Sequence, residues 1–549
     1  MTVFVLLSGS SAHSAEQPDA TVGGRAPEAS ALERFEVLEF AIEGNSVLDD
    51  EQIERVVYPF LGPARSVGDL EAARAALERA YHEAGYLTVT VELPEQQMEA
   101  NRAVRLLVQE GRVERLKISG AEHFLPSQVR AGVPSLAAGS VPQFATVQDE
   151  LTALGRQSPD RQVTPLLRPG RTPGKIEVEL KVEDRSPIHG SVEVNNKQSF
   201  STEQGRIESA VRHDNLFQRG HSLGANWIYS PHAPDQANIW VFSYGVPLRN
   251  GDYLSASVVS SDSNIPAEIG GATIVNGESV GLRYRKNLPS RNYNLYHGLT
   301  VGIDYKSNRD ALDRNAQIFV PRSLHYWTLA ARYDLVVPDA DGRSQTSLDM
   351  NLAAGVPPLT ERQVDCDGVR RDQFACKRSG AEAGFVTLRL GGARVQALPN
   401  NWTLDVKGEL QIASGPLVPQ EQLGAGGRDS VRGYYEFERF GDSGVSANVE
   451  LLTPPFATLA GVQFKALAFY DRAQLRVSDP LPLEDARIDL SSYGLGVRAQ
   501  SRGFVARLDI AVPLHTSGIQ TTDSNGDPLL RVRTRKNDAR VHVGIGYQF

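Results

Sequence analysis

Hydrophobic and polar residues alternate along the larger, C-terminal part of the chain, from about residue 187 onwards. The clearest example is the last segment, RVHVGIGYQF, in which Val541, Val543, Ile545, Tyr547 and Phe549 share one face. An alternation with a period of two residues predicts β-strands that have one apolar and one polar face. Charged residues recur on the polar face, which is typical either of a soluble sheet over a core or of a membrane barrel with a wet lumen.

The number of these segments favours the membrane barrel. Sixteen of them begin near Ser191, Arg206, His221, Ile239, Tyr253, Val280, Leu295, Leu324, Thr346, Ala383, Trp402, Val445, Phe464, Ile488, Phe504 and Arg540. Each segment with its connection has about 23 residues, which is enough for a tilted membrane strand of about 9 to 11 residues and a turn or loop. An even number of strands suits a closed antiparallel barrel, because closure leaves no edge strand.

The preceding region, from Phe35 to Asp184, instead combines strands with helical segments. A strand is predicted at Val37–Ile42 and a helix is predicted to begin near Asp49. A second helix is predicted from apolar residues at helical spacing, which are Leu70, Ala73, Leu77 and Tyr81. Strand, two helices and two strands form a β-α-α-β-β unit, and the unit then recurs. We therefore predict repeats at residues 35–112 and 113–186, an all-β region at 187–549 and an N-terminal segment at 1–34.

The composition argues against two classes of protein, nucleic-acid-binding proteins and helical membrane proteins. The 549 residues carry a formal net charge of −9, so there is no basic footprint of the kind that nucleic-acid binding requires. No run of about 18 apolar residues is present, and helical membrane spans are therefore not expected.

The first residues resemble a secretory leader. An apolar core at Val3–Leu7 precedes small residues at Ala12–Ala15, but a basic segment is missing. Two interpretations follow: a leader whose true start lies upstream, or an ordinary disordered terminus. Between Ala15 and Phe35 the chain is too short for both a pore-plugging helix and a linker that crosses about 30 Å of membrane. The sequence as given thus predicts a channel without a full plug helix. We therefore expect the channel to conduct frequently in planar bilayers.

Candidate chemistry is sparse. The two cysteines, Cys366 and Cys376, lie in one polar segment between strand-like runs, which favours a disulfide in an exported protein; a metal site would need more ligands. The eleven histidines show no metal-binding spacing and no serine lies in a nucleophile elbow, so we predict no enzyme, cofactor or metal. Asp523–Asp527 imitates the start of a calcium loop but lacks the later acidic ligand, and a hairpin turn is predicted there.

Four stretches make the chain similar to a known family. EGNSVLDDEQIERVVYPFLG and the residues after it resemble a first polypeptide-transport-associated (POTRA) domain, and LRPGRTPGKIEVELKVEDRSP resembles the end of a second. VEVNNKQSFSTEQGRIESAVRHDNLFQRGHSL resembles the family's first barrel strands, and VRGY, at residues 431–434, resembles the loop motif of its superfamily. The resemblance is to the outer-membrane transporters of two-partner secretion, of the haemolysin-activator and filamentous-haemagglutinin exporter type, in the superfamily of the barrel-assembly machinery.

The resemblance implies a role for the VRGY motif, Val431, Arg432, Gly433 and Tyr434. In the family, the loop folds back into the lumen and its arginine meets an aspartate within Phe-x-Asp-x-Gly. The matching stretch here is Phe469–Ala473, with alanine in place of the glycine. Strand alternation directs Phe469 and Asp471 to the inside of the barrel, so that Asp471 is the expected partner of Arg432. A guanidinium suits this task because its planar fork matches a carboxylate and stays charged.

The same resemblance implies a function and a location. Two POTRA domains in the periplasm would capture an unfolded secreted exoprotein, adhesin-like or haemolysin-like, and the barrel in the outer-membrane bilayer would conduct it outward. The alternatives are a barrel-assembly or insertase-type protein, and a plain porin or outer-membrane enzyme. Tyr547 and Phe549 would form the C-terminal signal that the barrel-assembly machinery reads during insertion.

Overall fold

The computed structural model describes residues 34–96, 102–200, 202–248, 251–263, 267–269, 272–274, 276–288, 295–308, 323–366, 368–522 and 528–549. The predicted leader and plug-helix segment at residues 1–33, and Asp523–Asp527, lie outside the described residues. Within the described part of the chain, no helix is both long and apolar enough to span a membrane. The chain divides into two compact units, one with the described residues up to 116, 135–147 and 167–178, and one with 117–134, 148–166 and 179–549.

The N-terminal region contains eight strands and four α-helices in its described residues. The strands are β1 (Phe35–Val37), β2 (Glu39–Glu43), β3 (Gly62–Arg65), β4 (Val89–Glu92), β5 (Ala103–Glu110), β6 (Arg112–Ser119), β7 (Arg161–Pro169) and β8 (Lys175–Asp184). The helices are α1 (Asp50–Val57), α2 (Val67–Glu83), α3 (Pro126–Ala131) and α4 (Phe144–Gln157), with short 3₁₀ turns at Tyr58–Phe60 and Pro134–Leu136. Three-stranded sheets form in the orders β2-β5-β4 and β6-β8-β7, and β1 pairs separately with β3.

Local sequence signals explain the first two helices. Asp49 caps α1 and Ser66 caps α2, and in both cases the side chain at the third helical position bonds back to the cap. The four residues predicted at helical spacing in α2 are all buried in the core of the first repeat, which confirms that helix. One prediction is wrong: Val37–Ile42 is not a single strand, because the chain breaks at the exposed Leu38 and β1 and β2 join different sheets.

The C-terminal region is a closed antiparallel barrel. Its sixteen long strands in the described residues are β9 (Ile188–Asn195), β10 (Arg206–Leu216), β11 (His221–Tyr229), β12 (Ala237–Pro247), β13 (Tyr253–Ser263), β16 (Gly277–Asn287), β17 (Tyr296–Asn308), β18 (Leu324–Pro338), β19 (Gln345–Gly355), β22 (Val386–Ala397), β23 (Thr403–Ala413), β26 (Ser443–Leu452), β28 (Val462–Arg476), β29 (Arg487–Gln500), β30 (Phe504–Pro513) and β33 (Arg540–Gln548). Each pairs with the next along the chain, and β33 pairs with β9 to close the sheet. The predicted barrel of sixteen strands is confirmed.

The loops lie alternately at the two ends of the barrel. We call the end where β9 begins the near end and the opposite one the far end. The far-end loops contain β14 (Ala267–Ile269), β15 (Ala272–Ile274), α5 (Pro357–Thr360), β20 (Gln363–Cys366), β21 (Val369–Asp372), α6 (Gln373–Lys377), β24 (Leu423–Ala425), β25 (Arg439–Gly441), β31 (Ser517–Thr522) and β32 (Pro528–Thr534). The near-end turns contain only β27 (Ala457–Leu459) and a 3₁₀ turn at Pro399–Asn401 among the described residues.

The two faces of the barrel wall differ as the alternation predicts. Apolar side chains cover the outer face and are exposed there, among them Val192, Val194, Trp240, Phe242, Leu348, Met350, Leu495, Ile510 and Ile545. The inner face surrounds a cavity of about 1290 Å³ that carries ion pairs such as Arg283–Asp304, at 2.7 Å. An apolar exterior with a charged interior is what a barrel in a bilayer requires.

Candidate functional site

The loop between β23 and β26, residues 414–442, folds into the barrel instead of projecting from its far end. We call it the lumen loop. Val431, Arg432 and Tyr434 at its tip are almost completely buried, with exposed fractions of 0%, 3% and 0%. β24 pairs with β25 at the base of the loop and holds its two arms together. The loop thus behaves as a packed part of the barrel interior.

Arg432 meets the aspartate that the sequence singled out. Its Nε and Nη2 atoms donate hydrogen bonds to the two carboxylate oxygens of Asp471, at 2.7 and 2.8 Å. The backbone N–H of Arg432 donates to the same carboxylate at 3.1 Å. The guanidinium carbon also lies 3.5 Å from the ring centroid of Phe469, a cation–π contact. Phe469 and Asp471 thus both face inward and together surround the arginine head group.

Other acidic groups complete the environment of the guanidinium. Its Nη1 atom donates to Glu450 on β26 at 2.6 Å and lies 3.8 Å from a carboxylate oxygen of Asp509 on β30. Asn448 donates to Asp471 at 2.9 Å, which supplies a further bond to that buried carboxylate. A buried charge is tolerated only when it is paired and hydrogen-bonded, and this network meets both conditions.

The other three residues of the motif shape the tip of the loop. Gly433 has a φ of +90°, a conformation that side chains other than glycine rarely adopt, and its N–H donates to the Nε2 atom of His542 at 3.0 Å. The Tyr434 hydroxyl lies 2.9 Å from the carbonyl of His515 and 3.2 Å from that of Ser491. Val431 and Tyr434 pack in one apolar cluster with Ala473, the residue that replaces the family's glycine.

A second arginine of the loop reaches the first barrel strand. Arg428 is hydrogen-bonded to Glu193 on β9, and the neighbouring Asp429 is paired with Lys197 at 3.0 Å. Arg428 is only 6% exposed, and the carboxylates of Glu193 and Asp429 balance its charge. The loop therefore contacts both sides of the seam at which β33 closes against β9.

Sequence reasoning missed Glu450, Asp509, His542 and Glu193 as partners of the loop. Strand alternation places each of them on the inner face, as it does for the other charged residues of the polar faces. Which of these charges meets the loop depends on the angular position of each strand around the barrel. A linear sequence does not contain that position.

The remaining candidate residues lie in a far-end loop and at the end of the last strand. Cys366 and Cys376 are joined by a disulfide in the far-end loop between β19 and β22. Tyr547 and Phe549 are exposed on the outer face, and their rings stack with centroids 6.4 Å apart. The N–H and C=O of Phe549 bond to the C=O and N–H of Gly190, both at 3.0 Å, so the terminal residue takes part in closing the barrel.

These features define a class of protein: an outer-membrane β-barrel of the superfamily that includes the barrel-assembly machinery, with α/β repeats before the barrel and an arginine-bearing loop inside it. A model of the family described as haemolysin secretion/activation protein ShlB/FhaC/HecB matches residues 174–499, and one for the ShlB-type POTRA domain matches residues 35–111. The first match covers more than half of the chain, and the chain belongs to this family. It is a secretion transporter of the outer membrane, with its POTRA region in the periplasm.

Individual relatives agree with this assignment. The outer membrane transporter CdiB of Escherichia coli is 25% identical over 498 residues, which are 87% of this chain and 79% of the relative. The solved structure of CdiB from Escherichia coli has a TM-score of 0.63 at 18% identity and covers 96% of this chain and 93% of that one. CdiB from Acinetobacter baumannii gives 0.56 at 16% identity, with coverages of 94% and 90%. The two structural likenesses show a shared fold.

Proposed function

We propose that this transporter recognises an unfolded, adhesin-like or haemolysin-like exoprotein through two POTRA domains, residues 35–112 and 113–186, and exports it through the barrel of residues 187–549. The observation that carries the proposal is the cavity beside the lumen loop, which is lined by charged side chains. Its wall contains Arg285, which donates to Asp334 at 2.7 Å, and it leaves about 1290 Å³ of space. A wall that carries charged side chains offers hydrogen-bond partners to an extended polypeptide.

The lumen loop has the proposed role of positioning part of this wall. Its salt bridges to Asp471 and Glu193 fix the loop to strands on both sides of the seam. A loop held in this way would keep one side of the cavity in a defined shape while the opposite side conducts. Folding of the exoprotein outside the cell would give the transport its direction.

The sheet of the first POTRA domain has the order β2-β5-β4, so its two edges are β2 and β4. The two edges differ in their capacity to accept a partner strand. On β4, the backbone of Val91 accepts a bond from Arg74 and donates one to Glu78, both at 3.1 Å, and the His82 ring bonds to the Val89 carbonyl at 2.9 Å. These α2 side chains occupy backbone groups that an added strand would need. Among the described residues, no side-chain hydrogen bond reaches the backbone of β2. We therefore propose β-augmentation at the β2 edge.

A crosslinking experiment tests both the recognition and the choice of edge. A photoreactive amino acid at Ala41, in the middle of β2, is expected to crosslink to the N-terminal secretion domain of the exoprotein in cells. The same amino acid at Thr90, the matched position on β4, is expected to give at least about fivefold less product, because that edge is occupied. A dominant product at Thr90 would contradict the choice of β2. Normal export after deletion of residues 35–112 would contradict recognition by this domain.

Insertion of other barrels into the membrane was the alternative function. BamA of Haemophilus ducreyi lacking POTRA domains 1–3 shares the fold, with a TM-score of 0.51 at 14% identity and coverages of 94% and 100%. A structural similarity at 14% sequence identity shows a shared fold but not a shared function. The family match favours secretion over insertion of other barrels. For its own insertion into the membrane, the proposed partner of this chain is the barrel-assembly machinery, which would read Tyr547 and Phe549.

A further inference from the structure

A second buried carboxylate lies at the base of the lumen loop. Asp442 is the last residue of the loop before β26, and its exposed fraction is 0%. It lies at the far end of the barrel, whereas the Arg432–Asp471 pair lies at the tip of the same loop. The far end is the extracellular one, because β9 begins at the near end directly after the periplasmic POTRA region. A carboxylate that is completely buried needs hydrogen-bond donors and a positive charge to balance it.

Three extracellular loops supply donors to Asp442. Arg378, from the loop that follows β19, makes two bonds to the carboxylate, and the one from Nη2 to Oδ2 measures 2.8 Å. The backbone N–H of Leu417 donates at 2.8 Å from the first arm of the lumen loop. The backbone N–H of Ser478 donates at 2.7 Å from the loop between β28 and β29. Gln422 adds a bond at 3.1 Å.

Arg378 binds the complementary backbone groups of the same two residues. It donates to the carbonyl of Leu417 at 2.6 Å and to the carbonyl of Ser478 at 3.1 Å. The arginine and the aspartate therefore each hold both Leu417 and Ser478, one through a C=O and the other through an N–H. This arrangement fixes the two loops by their main chains, so it does not depend on the side chains at positions 417 and 478.

Packing keeps Arg378 in place. It directly follows α6, whose Phe374 is completely buried and lies 5.4 Å, between ring centroids, from Tyr326 on β18. Leu417 belongs to the same apolar cluster. The disulfide at Cys376 anchors α6 to β20, two residues before Arg378. A side chain held by its neighbours loses little conformational entropy when it forms a bidentate pair.

We propose that Arg378 and Asp442 are positioning residues that clamp the base of the lumen loop, so that the loop is held at two points and stays inside the barrel during export. The proposal rests on the proposed function of the lumen loop and extends it. With the clamp intact, the arms of the loop have a fixed starting position at the extracellular end. Without it, only the contacts at the tip retain the loop, and the loop opens outward more often.

Trypsin added outside intact cells measures that opening, because the loop carries Arg428, Arg432 and Arg439 as cleavage sites. Cleavage of a briefly opened segment follows the population of its open form. We expect Arg378→Ala to raise the rate of cleavage within residues 414–442 about tenfold and to lower export of the exoprotein by a similar factor. Arg378→Lys keeps the charge but not the fork, and it should give intermediate values for both. Heat-modifiable barrel should remain at the wild-type level.

Arg370→Ala is the matched control, since Arg370 is an exposed arginine of the same extracellular loop. It should cleave and export like the wild type. Wild-type cleavage rates in both Arg378→Ala and Asp442→Asn would overturn the clamp, as would an equal effect of Arg370→Ala. The cleavage assay needs no exoprotein, so it separates this inference from the proposed function: if the loop opens but export is unchanged, the proposed role of the lumen loop in export fails and the clamp stands.

Discussion

Replacing Arg432 with alanine is expected to reduce export of the exoprotein to background while the barrel stays inserted in the outer membrane. The substitution leaves Asp471, which has an exposed fraction of 0%, without the two bonds from the guanidinium. Loss of one partner from a buried ion pair costs about 3 to 5 kcal/mol. The substitution destabilises the packed position of the loop tip. It leaves the barrel wall intact, because each strand keeps its backbone bonds to its neighbours.

The measurement is the amount of exoprotein in the medium, with the amount of heat-modifiable transporter determined in parallel. Arg432→Lys should export at an intermediate level, because an ammonium keeps the charge but cannot bond to both carboxylate oxygens in one plane. Arg472→Ala is the control on the same strand as Asp471. Arg472 forms an exposed pair with Asp489 at 3.1 Å, and surface pairs contribute only about 0 to 1 kcal/mol. Normal export by Arg432→Ala at a normal protein level would refute the proposed role of the loop.

Truncation of the chain before Arg540 is expected to abolish the folded barrel. β33 pairs with β30 on one side and with β9 on the other, so its loss opens two edges. Unpaired backbone groups in hydrocarbon cost several kcal/mol each, and no alternative partner is available in the lipid. The truncated chain should show no heat-modifiable species in unheated gels and no export.

Deletion of Phe549 alone tests the terminal contact. It removes the two bonds to Gly190 and the aromatic ring on the lipid-facing side, and we expect a lower yield of inserted barrel. Phe549→Tyr keeps the backbone bonds and an aromatic ring suited to the membrane interface, so it should assemble normally. A chain ending at Ala539 that still migrates as a folded species and still exports its partner would contradict the closed-barrel requirement.

The strands of the barrel could be predicted well because their signal is local. All sixteen begin within a few residues of the predicted positions, for example at Arg206, His221 and Phe504. Turn residues and period-two alternation lie within each segment, and the lipid enforces the alternation along the outer face. The split of the first predicted strand at Leu38 had no such local signal, since it depends on which sheet each half joins.

The loop tip could be predicted in part. The VRGY motif and the inward position of Asp471 follow from sequence pattern and family resemblance, and the structure brings the two side chains together. The partners Glu450, Asp509 and His542 lie on three other strands. Their convergence depends on the closure of the sheet and on the register of each strand pair, both of which are decided by the whole barrel.

The sequence by itself determined the division into α/β repeats and a sixteen-stranded barrel, the face on which each strand residue lies, and the arginine and aspartate at the loop tip. It did so because periodicity and motif spacing are properties of short segments. Only the tertiary structure decided the seam contacts of Arg428 and Phe549 and the clamp between Arg378 and Asp442. Those contacts join residues that are separated by 64 positions or more along the chain. Pairing of neighbouring strands brings Arg378 close to Asp442, and closure of β33 against β9 brings Arg428 and Phe549 to the first strand.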